Sequence, residues 1–374
     1  MRFAIGYGSI LTAGLAMLSL AAAAPPTIDA YKPAIDAIAN NAVAGGHCAG
    51  LAVDVDDAGV TGQMFYGKSG TARPLDGKTE FEIDSVTKTF TALVLALAVQ
   101  RPDNPMQLDD PLQKYAPAGV TLPTYDGAPI RLVDLATHTA GLPRGLIGDP
   151  NQTPAAVWRR AATTTLASAP GDKYVYSNLG YGLLGLAEED DQKKSLADIF
   201  TDEITSPLAM PDTRIALSAD ESARKAQGHH PNGKPAPADD TRDELGIAGA
   251  FALNSTPDDL LKYLALQMGD GPPALVAAAR LAQTPVHTIG PKGKVGLAWN
   301  TNGMNDGTPV IDKDGTGPGF TDYVAFTPSS EAGVVVMANQ LSCGVQQVAL
   351  RVLSVLNHGT AADAPAFGPD DAAQ

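Results

Sequence analysis

The sequence predicts an α+β fold: an antiparallel sheet flanked by helices, with a mainly helical subdomain inserted into it. Strand-like apolar stretches lie near both ends, at residues 49–56 and 64–70 and again at 295–300, 308–313, 321–326 and 332–338. Between them, residues 101–240 are rich in Pro and Asp and offer only short helical pieces and long loops. Helical patterns at 28–44 and 345–356 bracket the whole. A chain of 374 residues suits two packed subdomains, residues 24–100 with 241–358 for the sheet and 101–240 for the helices. Its 38 Gly and 29 Pro stay below the range of disordered chains, which favours long ordered loops.

The N-terminus carries an export pattern. Arg2 precedes an apolar run at 10–20, and Ala21-Ala22-Ala23-Ala24 supplies small residues for cleavage, placed after Ala23. The apolar run is short for a bilayer span, and no Cys lies near enough to carry a lipid, so no stable membrane anchor is expected. A signal peptide over residues 1–23 implies a periplasmic or secreted protein. The Ala-, Pro- and Asp-rich residues 359–374 predict a flexible tail. With 26 Lys+Arg against 41 Asp+Glu, the net charge of −15 would repel a phosphate backbone, which excludes nucleic acid as a partner.

Two cysteines are present, Cys48 just before one strand and Cys343 just after another. If those strands are antiparallel neighbours, a disulfide could close most of the chain; two buried thiols are the alternative. No His or Cys spacing has the form of a zinc site: His229-His230 lies in a polar loop, and His138 reads as structural. No metal or cofactor is expected.

Chemistry concentrates in three short motifs. Ser85 and Lys88 form Ser-x-x-Lys at the start of a helix, 89–99, that is apolar almost all round and therefore buried. The spacing puts hydroxyl and amine on one face. Burial lowers a lysine's pKa, and a serine hydroxyl needs such a base to become a nucleophile. The motif alone is weak, since Ser222-Ala223-Arg224-Lys225 repeats it in a charged segment that reads as a solvated surface turn. Tyr176-Ser177-Asn178 is the second motif, after a loop at Pro170-Gly171-Asp172. A phenol near an ammonium ionises more easily and can act as general base, while the Asn178 amide can both donate and accept for a substrate amide.

The third motif is Lys313-Asp314-Gly315, followed by Thr316. Lys-x-Gly recurs at Lys68-Ser69-Gly70 and Lys294-Val295-Gly296, but only Lys313 lies after Tyr176 and just before the penultimate strand of the pattern. Lys313 is the candidate for holding a substrate carboxylate, and Gly315 would let the substrate backbone approach. The N–H groups of Ser85 and Thr316 would form an oxyanion hole.

In this order and at these separations, the three motifs resemble the active site of the penicillin-recognising serine enzymes, the β-lactamase and DD-peptidase superfamily with its β-lactamase/transpeptidase-like fold. Tyr-x-Asn in the middle is similar to class C β-lactamases and their carboxypeptidase and esterase relatives. The stretch from Leu135 to Pro143, Leu-Ala-Thr-His-Thr-Ala-Gly-Leu-Pro, and Ser255-Thr256-Pro257-Asp258-Asp259-Leu260 resemble the family's connecting segments. Tyr176-Ser177-Asn178-Leu179-Gly180 and residues 138–144 look closest to AmpH-type periplasmic DD-peptidases. Asp314 departs from the Thr or Gly often found there, and an acid beside Lys313 would weaken its hold on an anion.

The resemblance implies an acyl-enzyme on Ser85, proton transfer by Lys88 and Tyr176, and a small-molecule or peptidoglycan-peptide substrate. D-alanyl-D-alanine carboxypeptidase/endopeptidase, class C-type β-lactamase, and carboxylesterase or D-amino-acid amidase differ in substrate and in the fate of the acyl group. A non-catalytic cell-wall or β-lactam binding protein is the contrasting reading, opposed by the intact Ser85, Lys88, Tyr176 and Asn178.

Overall fold

Backbone geometry at one tight turn sets the first edge of the sheet. Ala58 and Gly59 both take positive φ, 51° and 86°, the two-residue turn whose twist matches paired strands. It joins β1 (Gly50–Asp57) to β2 (Val60–Gly67), so β2 begins before the expected residue 64. This computed structural model describes residues 27–46, 48–103, 106–145, 152–237, 246–290, 293–329 and 331–360. The signal-peptide assignment to residues 1–23 and the tail from 361 onward lie outside them.

Short pairs follow: β3 (Phe81–Glu82) with β6 (Asn254–Ser255), and β4 (Thr124–Tyr125) with β5 (Ala128–Pro129). The later strands are β7 (His287–Ile289), β8 (Gly293–Val295), β9 (Asn300–Gly303), β10 (Pro309–Thr316), β11 (Thr321–Thr327) and β12 (Ala332–Ala338). One eight-stranded antiparallel sheet results, in the order β2-β1-β12-β11-β10-β9-β8-β7. Strands from both ends of the chain meet one strand in from the β2 edge, where β1 pairs with β12 and Leu51 lies opposite Ala338.

The helices are α1 (Ile28–Ala44), α2 (Thr87–Val99), α3 (Leu132–Ala136), α4 (Pro154–Ala162), α5 (Asn178–Gln192), α6 (Leu196–Phe200), α7 (Ala219–Ser222), α8 (Ala248–Phe251), α9 (Pro257–Met268), α10 (Pro273–Gln283) and α11 (Val345–His358). The sheet is the middle layer. On one face, Leu51, Val53, Val55, Val334 and Val336 pack against α1 and α11. On the other, Ala52, Val324, Phe326, Val335 and Met337 join a large apolar cluster with α2, α5, α9 and α10. Helix α2 is buried along most of its length, and Phe90 stacks on Tyr263 at 4.1 Å between ring centres. At the start of α9, Thr256 Oγ1 accepts from the Asp259 N–H and Pro257 occupies the first turn. No helix among the described residues is long and apolar enough to cross a membrane.

Two sequence expectations need correction. Residues 295–300 are not one strand: β8 ends at Val295 and β9 starts at Asn300. Between them Ala298 takes φ 68°, and the N–H groups of Leu297 and Ala298 donate to the carbonyls of Ala282 and Ala136. The segment leaves the sheet to bury Leu297 and Trp299, so its apolar run marks a core plug, which hydrophobicity alone does not separate from a strand. Ser222-Ala223-Arg224-Lys225 is not a solvated turn either. Arg224 and Lys225 are largely covered; Arg224 pairs with Asp212 at 2.7 Å and Lys225 with Glu82 at 2.8 Å. The Ala226 N–H donates to the Glu80 carbonyl, so this segment braces the backbone just ahead of Ser85.

Cys48 and Cys343 flank the β1–β12 pair, their Cα atoms 4.9 Å apart and their sulfurs joined, at a sequence separation of 295. A cross-link over so long a loop restricts the unfolded chain strongly, by up to about 5 kcal/mol in the chain-entropy account. Thermal melting with and without reductant should therefore show a lower midpoint for the reduced protein. The double variant Cys48→Ala/Cys343→Ala should melt low in both conditions; identical melting of reduced and oxidised parent would refute a stabilising bond.

Candidate active site

Ser85 lies in a single 3₁₀ turn, Asp84–Val86, that links β3 to α2. Two constraints hold this turn. Asp84 adopts φ 42°, and the Val86 N–H donates to the Ile83 carbonyl. Behind it runs β10: a Cβ on Gly315 would stand 2.5 Å from the Ile83 carbonyl oxygen. Glycine at 315 therefore lets β10 press against the turn carrying Ser85, and that space is filled by protein backbone rather than left for a substrate. Thr316 ends β10, exposed, paired with Thr321.

One turn into α2, Lys88 is completely buried. Its Nζ lies 3.1 Å from Ser85 Oγ and donates to Asn178 Oδ1 at 2.8 Å and to the Ala250 carbonyl at 2.7 Å. Tyr176 donates its phenolic hydrogen to Ser85 Oγ at 2.7 Å. Ser85, Lys88, Tyr176 and Asn178 thus form one connected cluster, although they come from two distant segments.

The second segment is fixed by capping. Ser177 Oγ accepts from the Gly180 N–H at 3.0 Å, starting α5, and donates to the Pro143 carbonyl at 2.6 Å. This sets Asn178 as the first residue of α5 with its amide on Lys88. The Asn178 N–H donates to the Arg144 carbonyl at 3.0 Å. His138, at φ 58°, accepts the Ser177 N–H on Nδ1 at 3.1 Å and lies against the Tyr176 ring, 4.3 Å between ring centres.

Charges converge on that ring. The Lys88 and Lys313 ammonium groups stand 4.8 and 5.6 Å from its centre, and the Arg144 guanidinium 5.2 Å. Burial, helped by the Lys313 charge, holds the Lys88 amine well below the ordinary lysine range. Burial also pushes the Tyr176 phenol up; Lys313, the Ser85 hydrogen bond and Arg144 pull the other way but do not prevail. The expectation that a nearby ammonium eases ionisation of Tyr176 holds for the sign of that interaction and fails for the sum. Lys88 is the better base, and Tyr176 keeps its proton.

Lys313 differs from its sequence-based role. Its side chain is 2% exposed, with Nζ 2.6 Å from Asp314 Oδ1 and 2.8 Å from the Asp314 carbonyl oxygen. Burial opposes the ammonium, yet Asp314 and the Tyr176 phenol push the Lys313 pKa up. Against desolvation, Lys313 holds the Asp314 carboxyl below its ordinary range.

Sequence reasoning did not find the Ala250 carbonyl, since a main-chain acceptor leaves no residue signature. It noted His138 and Arg144 within the 138–144 stretch but assigned neither to the site. In the sequence, His138 is marked only by its place in the stretch Thr137-His138-Thr139-Ala140-Gly141-Leu142-Pro143. Elsewhere, carboxylate oxygens of Glu80, Asp212 and Glu221 lie within 4.8 Å of one another. Arg224 and Lys78 already pair with Asp212, and Arg214 with Glu221, while burial pushes the Glu80 carboxyl up to about 9. A protonated acid among three cations is a poor metal cage.

Known proteins resemble this chain over most of its length. The Beta-lactamase family model matches residues 35–354. "D-alanyl-D-alanine-carboxypeptidase/endopeptidase AmpH" of Escherichia coli (strain K12) is 30% identical over 365 residues, covering 91% of this chain and 92% of that protein. A "Beta-lactamase" of Pseudomonas fluorescens is 27% identical over 334 residues, covering 78% and 88%. Among solved structures, a beta-lactamase/D-alanine carboxypeptidase from Yersinia pestis, complexed with citrate, superimposes with a TM-score of 0.74 at 26% identity, covering 84% of this chain and 94% of that one.

Two outcomes test the site. A lysine with a lowered pKa is a neutral base above its folded value, so acylation should rise with pH through that value, and Lys88→Ala should cut the acylation rate about 10²–10⁴-fold. The unfolded chain keeps this proton up to the ordinary lysine range, so the stability cost of burying Lys88 should fade as pH climbs toward 10.5. His138→Asn, which supplies an acceptor and tolerates positive φ, should keep far more activity than His138→Ala. Equal losses would refute the role of His138 in placing Tyr176 and Ser177.

Proposed function

This chain belongs to the Beta-lactamase family and is a serine hydrolase, and from that premise we propose that it acts as a D-alanyl-D-alanine carboxypeptidase/endopeptidase-like enzyme with Ser85 as nucleophile. The observation that carries the reading is Ser85 Oγ held between the Tyr176 phenol at 2.7 Å and the Lys88 amine at 3.1 Å. A neutral Lys88 can keep donating to Asn178 and Ala250 and turn its lone pair to the Ser85 hydroxyl. Ser85 Oγ then adds to the substrate carbonyl as its proton passes to Lys88.

The N–H groups of Ser85 and Thr316 hold the developing oxyanion; losing such a donor typically costs about 10²–10³ in kcat. As the tetrahedral adduct collapses, the carbon–nitrogen bond breaks and Tyr176 gives its proton to the leaving amine. The Lys88 ammonium restores the phenol. Water attacks the acyl-enzyme in the reverse sense, returning Ser85. Asn178 orients the substrate amide while it holds Lys88.

The near-complete mutual coverage with the AmpH relative supports peptidase over lactamase. The export pattern read at residues 1–23 and the Cys48–Cys343 disulfide support a periplasmic or extracellular location, where peptidoglycan peptides occur and the disulfide can stay oxidised.

Intact-protein mass spectrometry with a labelled penicillin tests this reading. The parent should gain one long-lived acyl adduct, and Ser85→Ala none. Rapid clearance of the adduct with ring opening would shift the assignment to β-lactamase. No adduct and no cleavage of penicillin, ester or D-Ala-D-Ala peptide would refute it.

A further inference from the structure

Hydrolysis at Ser85 of a substrate bearing a carboxylate needs a cation that is free to receive one. Lys313 is not free. A carboxylate arriving there would have to displace Asp314 from contacts of 2.6 and 2.8 Å around an ammonium that water barely reaches.

Arg144 has the opposite situation. It is exposed, and its guanidinium rests 5.2 Å from the centre of the Tyr176 ring. Its backbone is anchored at the site, because its carbonyl accepts the Asn178 N–H. Its charge acts on Lys88, His138 and Tyr176 alike. Among the described residues no carboxylate pairs with it, in a chain where acids outnumber bases 41 to 26. Other arginines of the chain are engaged with acids: Arg131 with Asp134 and Asp109, Arg101 with Asp191. An unpaired arginine held beside a nucleophile by a main-chain bond is an anion receptor: its planar fork matches a carboxylate with two parallel hydrogen bonds.

We propose that Arg144 is the specificity-determining residue that receives the substrate's carboxylate, in place of Lys313. The proposal rests on Ser85 as nucleophile. Asp314 then has a role of its own: it silences Lys313 as an anion site and leaves Lys313 to act electrostatically on Lys88 and Tyr176. The carboxylate could belong to the leaving group or to the acyl part of a stem peptide, and the test separates these sources.

The probes are aryl esters of an N-acylated dipeptide. One pair has 3-carboxyphenol or 3-carbamoylphenol as leaving group; a second pair has a D-glutamyl or D-glutaminyl residue in the acyl part. Parent, Arg144→Ala, Arg144→Lys and Ser85→Ala are compared by kcat/KM. Arg144→Ala should lose about 10–100-fold on one carboxylate ester, mainly in KM, and lose markedly less on its amide counterpart, where only its charge beside Tyr176 is removed. The pair that responds identifies the source, and Arg144→Lys should recover part of the loss. Equal losses on carboxylate and amide esters would make Arg144 a mere prop for Tyr176 and overturn the proposal, as would no loss on either pair. Hydrolysis that survives Ser85→Ala, or is missing from the parent, would instead overturn the nucleophile assignment and this proposal with it.

Discussion

The buried amine of Lys88 is the constraint around which the molecule is arranged. An ammonium with no access to water is costly unless it sheds its proton or is met by acceptors. Here Asn178 and Ala250 meet it, at sequence separations of 90 and 162, and Ser85 meets it from the same helical turn. These acceptors come from the starts of α5 and from α8, so the helical insertion must dock on α2 before the amine is satisfied. Closing the fold and assembling the cluster of Ser85, Lys88, Tyr176 and Asn178 are therefore the same event. Misplacing any of the three segments would leave a polar group orphaned in an apolar cluster that includes Phe90, Leu93 and Leu183.

Electrostatics around Tyr176 follow from that burial. Three cationic side chains approach one phenol ring in a chain whose net charge is −15. Lys313, the Ser85 hydrogen bond and Arg144 would depress the Tyr176 pKa, but desolvation is stronger, and Asp314 offsets part of the Lys313 charge. The outcome is a division of labour between an amine that loses its proton readily and a phenol that keeps one. That division suits a serine nucleophile whose proton must leave in one direction while the amine product gains one from another.

Several features show where local pattern fails. The run at 295–300 is apolar and strand-like in composition, yet carbonyls of Ala282 and Ala136 draw its backbone out of the sheet. Arg224 and Lys225 sit in a charged segment that composition assigns to solvent, yet buried acids on β3 and at Asp212 take them inside. Gly315 looked like room for a substrate, and the Ile83 carbonyl fills it. In each case the deciding partner is far away in sequence, and no periodicity or motif records it.

The sequence by itself determined the chemical vocabulary. Ser85, Lys88, Tyr176, Asn178 and Lys313 are legible because side-chain chemistry at fixed spacing survives without coordinates, and because an all-round apolar helix can only be buried. The sheet's origin at both chain ends was legible for the same reason. Tertiary structure alone decided which protons are held and which charges are free. Those depend on desolvation and on distances across the fold: Lys88 far from water, Tyr176 raised despite its cations, Lys313 answered by its own neighbour, and Arg144 left open beside them.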